Sequence, residues 1–236
     1  MKHVPPAPPV LGERDRLSYA LFLPEGEPAG GLVILHGAGS AKESHFDFAR
    51  VCRARGLVAL AFDARGHGRS NGAFGPAAFG DVLSMCDLVR QHAPAVALRG
   101  SSMGGFCAIH AAALDRELAA VVAICPAPAQ LLLSGMRSGR LRDFAWDPDV
   151  TEQWLETLDL DAAAATLGPH TALLLLHAQG DEQVPVSVSE GLHAIAHEPK
   201  RLVVFPGGHH RSLQHDLEVQ NLSLRFVERA FAARLA

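Results

Sequence analysis

Short apolar runs alternating with helix-length stretches predict an α/β fold: a mostly parallel central sheet with helices on both faces. Three observations carry this expectation. The runs Gly31–Leu35, Leu57–Phe62, Ala93–Leu98, Leu118–Ile124 and Thr171–Leu176 are largely apolar at consecutive rather than alternate positions, the pattern of strands buried on both faces. The stretches between them have the length of crossover helices, which favours parallel strands joined by right-handed connections. Residues with chemistry also cluster just past the C-terminal ends of these runs, where open α/β sheets place their sites. With 236 residues, 48% of them hydrophobic, the chain suffices for one well-buried core and would be cramped as two domains.

The elements follow in order. Residues 1–15 begin with Val4-Pro-Pro-Ala-Pro-Pro9, which suits neither a ladder nor a helix, and read as a Pro-rich extended arm; order is expected from about Arg16, and residues 16–236 as one domain. Leu17–Leu23 alternates enough for an early antiparallel strand, and Pro24–Gly30 is a turn-rich connection. Glu43–Arg55 carries Phe46, Phe48, Ala49, Val51 and Cys52 at helical spacing and closes at Gly56. Phe79–His92 and Met103–Leu114 read as helices flanking the third run. From about 126 to 170 the rhythm breaks, and this segment, with Met136, Phe144, Trp146 and Trp154, reads as a short cap inserted over the sheet. Ser187–Ala196 is the next helix, Arg201–Phe205 the last strand and Leu217–Leu235 a closing amphipathic helix.

Composition excludes several classes of function. The net charge of −4, with arginine scattered among acidic residues, provides no basic stripe for a phosphate backbone, so no nucleic-acid partner is expected. Among 13 histidines no pair sits at helical i, i+4 spacing with a glutamate between, as a metalloprotease motif requires, and no Cys/His cluster has zinc spacing, so neither metal nor cofactor is expected. The four cysteines fall singly in apolar segments, the usual setting of a buried free thiol. The N-terminus lacks the apolar core of a secretory signal and no stretch reaches membrane-spanning length, which points to a cytoplasmic protein with a small-molecule partner.

Gly100-Ser-Ser-Met-Gly104 is a Gly-x-Ser-x-Gly pentapeptide between a strand and a helix. Such a turn needs glycine-sized flanks, projects the central hydroxyl of Ser102 outward, and sets it at a helix N-terminus that favours developing negative charge. A serine hydroxyl is a weak nucleophile without a base, and Gly207-Gly-His-His210 offers two imidazoles, His209 and His210, after the last strand. The imidazole in turn needs a carboxylate to hold its tautomer. Asp181 is the candidate over Glu182 because it directly follows the glycine turn after the Thr171–Leu176 strand.

The order Ser102, Asp181, His, together with His36-Gly-Ala-Gly39, Asp63-Ala-Arg-Gly-His-Gly-Arg-Ser70 and Gly180-Asp181 through Pro185, resembles the α/β-hydrolase superfamily from about Arg16 onward. The resemblance implies Ser102 as nucleophile, Asp181 as acid and a histidine at 209 or 210 as base. Similar enzymes often read Gly-Gly-Asp-His-Arg at Gly207–Arg211, which aligns His210 with the catalytic position. It also implies an oxyanion hole from the backbone N–H groups of Ala38 and Met103, and a structural role for Asp63, His36 and His67. Met136 and Trp146 are candidates for an apolar substrate pocket. The implied activity is hydrolysis of a small carboxylic ester or thioester through an acyl-enzyme. The same groups also serve an amidase, peptidase or acyltransferase, and a non-catalytic binding protein would have less reason to hold all three.

Overall fold

The computed structural model describes residues 8–235 and contains an eight-stranded sheet ordered β1-β2-β4-β3-β5-β6-β7-β8. The strands are β1 (Val10–Arg14), β2 (Leu17–Phe22), β3 (Gly31–Leu35), β4 (Val58–Phe62), β5 (Val96–Ser101), β6 (Leu118–Ile124), β7 (Ala172–Ala178) and β8 (Lys200–Phe205). The first two pair antiparallel with each other, β2 pairs antiparallel with β4, and every remaining pair is parallel. The helices are α1 (Phe46–Ala54), α2 (Ala78–Arg90), α3 (Met103–Leu114), α4 (Ala129–Arg137), α5 (Pro148–Glu156), α6 (Leu160–Ala165), α7 (Val186–Ile195) and α8 (Leu217–Leu235).

Because side chains alternate along a strand, each central strand feeds two cores. Val33, Leu35, Leu60, Phe62, Leu98 and Val121 face the layer of α2, α3 and α7, whereas Leu32, Ile34, Val122, Leu174 and Leu176 face α1 and α8. Each such buried side chain contributes about 1.5–3 kcal/mol of transfer free energy. Consecutive apolar positions are therefore required on these strands.

Two sequence expectations are corrected. Order does not wait for Arg16: Val10–Arg14 forms β1, zipped onto β2 from Val10↔Leu21 to Arg14↔Leu17. Asp15 and Arg16, at φ 54° and 68°, make the two-residue turn with both central residues left-handed, whose twist matches that of a hairpin. Residues 1–7 of the expected arm lie outside the described residues. The strand expected at Ala93–Leu98 instead starts at Val96 and runs through Ser101, because its register with β3 pairs Gly31 with Val96 and Leu35 with Gly100.

That register also lines up the strand exits. Leu35 pairs with Phe62 and with Gly100, Ser101 with Ile124, and Ile124 with Leu176. Consequently His36, Asp63, Ser102 and Cys125 all leave the sheet along one edge. Between β6 and β7 the chain departs for α4, α5 and α6, and the link between α4 and α5 is stitched to the loop after β4. Ala145 N–H donates to Gly66 O at 2.9 Å and Phe74 N–H to Ala145 O at 2.9 Å, while Phe144 stacks on His67 with ring centres 4.3 Å apart.

The loop after β4 is organised around a buried ion pair. Asp63 Oδ2 accepts from Lys42 Nζ at 2.7 Å and from Arg69 N–H at 2.9 Å, and Oδ1 accepts from Lys42 N–H at 2.7 Å. Burial pushes the Asp63 carboxyl upward, but these donors outweigh it and lower its pKa. Arg65 grips Asp81 of α2 with two bonds of 2.8 and 2.6 Å, fixing the same loop from the other side. Both partners of the Lys42–Asp63 pair are 2% exposed or less, so removing one strands a buried charge. Lys42→Met is expected to lower stability by about 3–5 kcal/mol in urea unfolding; a loss below about 1 kcal/mol would mean that the pair is not an organising contact.

Candidate active site

Ser102 sits in the turn from β5 to α3 at φ 55°, ψ −117°, a left-handed conformation that costs a side-chain-bearing residue about 1–3 kcal/mol. The surroundings over-determine it. Ser102 N–H donates to Ile124 O at 2.9 Å, and Ser102 O accepts from Phe106 N–H and Ala127 N–H at 3.0 and 3.2 Å. The motif's glycines are demanded by backbone crowding. A Cβ on Gly104 would stand 2.4 Å from Leu35 O and 2.6 Å from His36 O, and one on Gly100 would stand 2.1 Å from Gly104 O. Met103 is the first residue of α3, so its N–H has no partner within the helix and lies at the positive end of the helix dipole.

The structure brings Asp181 and His210 together. Gly180 N–H donates to Gly207 O at 3.0 Å, and a Cβ on Gly180 would stand 2.4 Å from Gly208 O, so the loops after β7 and β8 meet backbone to backbone. His210 Nδ1 then lies 2.7 Å from Asp181 Oδ2. The other carboxylate oxygen accepts from Gln183 N–H and Val184 N–H, both at 2.8 Å. Burial is the strongest single influence on Asp181 and pushes its pKa up. Hydrogen bonds from His210, Val184, the Cys125 thiol and Gln183 overcome it and hold the carboxyl at about 2. Of the two candidate histidines only His210 meets Asp181; His209 is exposed, its Nδ1 facing Arg211 N–H at 3.3 Å.

Ala38 stands beside this group, oriented by its neighbours. His36 Nε2 accepts from Ala64 N–H at 2.9 Å, which leaves Nδ1 to donate to Gly37 O at 2.8 Å; burial lowers this histidine's pKa, consistent with a neutral ring. Gly37 O also accepts from Ser40 N–H at 3.2 Å. In a planar trans peptide the N–H points opposite to the C=O, so anchoring Gly37 O directs the Ala38 N–H away from those contacts. His36 and Asp63 thus serve the loops around the site. His67 does so too, with Nδ1 3.2 Å from Arg65 O and a pKa lowered to about 3 by burial.

Two cavities open on Ser102 and His210. One, of about 160 Å³, is lined by Ala38, Ser40, Gln183 and Gln214; the other, of about 300 Å³, by Ala127, Leu131, Leu132, Leu141 and Val184. Met136 and Trp146, the expected pocket residues, line neither. Met136 is buried on α4 within the core, and Trp146 is held at the Phe74 bridge by the stitching of the α4–α5 link. Trp154 packs among Phe74, Phe79 and Phe106.

Two contacts escaped sequence reasoning. Cys125, read as a buried hydrophobe, donates its thiol to Asp181, and burial pushes its own pKa well up. Arg99, 1% exposed on β5, donates to Gln214 O at 3.1 Å and lies 4.0 Å above the Phe48 ring, tying β5 to the segment just past His210. Burial lowers its pKa to about 10. A lone arginine inside an apolar strand, directly before the Gly-x-Ser-x-Gly stretch, was the available signal. His177 is a satisfied core histidine, bonded to Ser189 Oγ and Val184 O at 2.6 and 2.9 Å. The one His/Cys/Asp grouping with metal-like spacing among the described residues is Cys125, Asp181 and His210, in which Asp181 already accepts from both of the others. All four cysteines are free and buried, and no helix of the described residues is long and apolar enough to cross a membrane.

Comparison with known proteins places these features in context. Residues 26–140 match the family described as serine aminopeptidase, S33. The uncharacterized protein YfhR of Escherichia coli (strain K12) is 29% identical over 210 residues, spanning 80% of this chain and 67% of that protein. Est1E from Butyrivibrio proteoclasticus, solved with ferulic acid bound, superposes with a TM-score of 0.72 at 20% identity, covering 96% of this chain and 99% of that one. The esterase domain of a Rhodothermus marinus protein superposes with a TM-score of 0.72 at 25% identity, covering 93% and 97%.

The Asp181 contacts have a measurable pH signature. A carboxyl held at about 2 against an ordinary 3.8 adds stability that is complete above the ordinary value and lost as pH falls toward the lower one. Urea midpoints of wild type and Asp181→Asn are expected to differ most above about pH 4 and to converge toward about pH 2; a gap constant across that range would contradict the assignment.

Proposed function

We propose that this chain, similar in sequence and fold to α/β-hydrolases, is a serine hydrolase that cleaves a small carboxylic ester, or a thioester, through an acyl-enzyme on Ser102. The observation that carries this reading is the 2.7 Å contact of His210 Nδ1 with Asp181 Oδ2, made where Ser102 and His210 share the walls of both cavities. With Nδ1–H committed to the carboxylate, Nε2 is the acceptor nitrogen. It takes the Ser102 proton as Oγ attacks the ester carbonyl and returns that proton to the departing alcohol. A water then gives up a proton to the same nitrogen, its oxygen attacks the acyl carbon, and the acid leaves as Ser102 recovers its hydrogen. Asp181 remains ionised throughout and stabilises the imidazolium.

The oxyanion of each tetrahedral intermediate is taken by Ala38 N–H and Met103 N–H. Each such donor contributes on the order of 3 kcal/mol to the transition state in comparable sites. The segment 126–170 is read as the cap, because Leu131, Leu132 and Leu141 reach the cavities from it. A peptidase or amidase reading draws support from the description of the matched family and from Glu182, a carboxylate on the second cavity that suits a substrate ammonium. The free, buried cysteines are in keeping with a cytoplasmic enzyme acting on a small molecule.

A fluorophosphonate probe is expected to label Ser102, located by peptide mass analysis, alongside turnover of 4-nitrophenyl esters. Ser102→Ala and His210→Ala should each lower kcat by about 10⁴ or more, and His209→Ala by less than about tenfold. Turnover retained in Ser102→Ala overturns the proposal. Faster cleavage of aminoacyl 4-nitroanilides than of esters would select the amidase reading.

A further inference from the structure

We infer that the ester accepted here carries a carboxylate, held by Arg140 and Arg211 in the smaller cavity beside Ser102; this rests on the serine-hydrolase reading above. The two cavities that meet at Ser102 and His210 differ in chemistry. The larger has the apolar wall of Leu131, Leu132, Leu141 and Val184, with Glu182 among its lining residues. The smaller is lined by Arg140, Arg211, Gln183, Gln214 and Ser40, with no acidic residue in its wall; Arg140, Leu141 and Gln183 lie where the two cavities adjoin and line both, whereas Arg211 and Gln214 line the smaller alone. Its two arginines arrive from different parts of the chain, Arg140 from the link after α4 and Arg211 from the loop that carries His210.

Neither cation is consumed by the protein. Arg137, one turn earlier than Arg140, is tied to Glu152 and Glu156. The Arg140 guanidinium donates only through Nε to Ser138 Oγ at 3.2 Å, and among the described residues neither Arg140 nor Arg211 forms an ion pair. Glu182, which lines the larger cavity, accepts the His210 backbone N–H and the Gln183 side-chain amide. Asp181 is buried behind His210. The chain as a whole is anionic at −4 and would repel an acid, so the attraction is confined to this wall. Guanidinium forks match a carboxylate in planarity and donor spacing. The arrangement suits a substrate with its charged end in the smaller cavity, its apolar part in the larger and its ester carbonyl over Ser102.

Two matched pairs of esters test this. Mono(4-nitrophenyl) glutarate against 4-nitrophenyl valerate places the charge on the acyl side; 3-carboxyphenyl butyrate against its methyl ester places it on the alcohol side. In at least one pair, kcat/KM for the anionic ester should exceed that for the neutral ester by about tenfold or more at low salt, with the difference mainly in KM, and the ratio should shrink as salt shortens the Debye length from about 30 Å to below about 5 Å. The ratio should approach one in Arg140→Gln/Arg211→Gln, whose exposed positions leave the core untouched. Ratios of one or less in both pairs, with neutral esters turned over, overturn the inference and leave the hydrolase reading standing. If no ester is turned over, the hydrolase reading fails, and calorimetry of glutarate with Ser102→Ala decides the arginine site alone. Binding abolished by the double arginine substitution sustains it, and absence of binding overturns it.

Discussion

The close approach of α3 to the end of β3 is the constraint on which the rest of this structure depends. With Gly104 pressed against the Leu35 and His36 carbonyls, the chain must leave β5 through a residue at positive φ, and Ser102 is that residue. The same approach sets the start of α3, and hence Met103 N–H, beside the Gly37-Ala38 peptide that His36 orients. A side chain at position 104 would push the helix off the sheet and separate all of these groups together.

Two carboxylates at the sheet edge illustrate how environment assigns roles. Asp63 is saturated by fixed donors, the Lys42 ammonium and two backbone N–H groups, so its charge is spent on holding a loop. Asp181 is also buried and also held low, but one of its partners is an imidazole that can gain and lose a proton. The thiol of Cys125 and two backbone N–H groups support the charge without competing for that role. Elsewhere, burial lowers the pKa of His36, His45, His67 and His110, which removes them from proton transfer near neutrality.

Much of this was legible in the chain. Consecutive apolar positions disclosed the central strands because a strand sandwiched between two helix layers has no solvent face. The Gly-x-Ser-x-Gly turn was legible because only small residues survive its crowding, and the glycine turns before Asp181 and His210 marked where loops approach. The β1 hairpin was obscured because the proline run before it signals extended chain and its I′ turn is made by Asp15 and Arg16 without glycine. Met136 and Trp146 looked like pocket residues because they are large and apolar; Leu131, Leu141 and Arg140 reach the cavities instead, a matter of how the 126–170 segment is stitched to the loop after β4.

The sequence by itself determined the order of the central strands and of the helices that cross between them, the edge at which chemistry could gather, and the residue types available there, because these follow from local periodicity and backbone sterics. Only the tertiary structure decided that His210 rather than His209 meets Asp181, that Cys125 and Arg99 brace the loops around them, and that two arginines distant in sequence share one cavity wall. Adjacent residues in a loop point in different directions, and contacts between distant loops are set by the register of the sheet that separates them. Neither is encoded in any short stretch of chain.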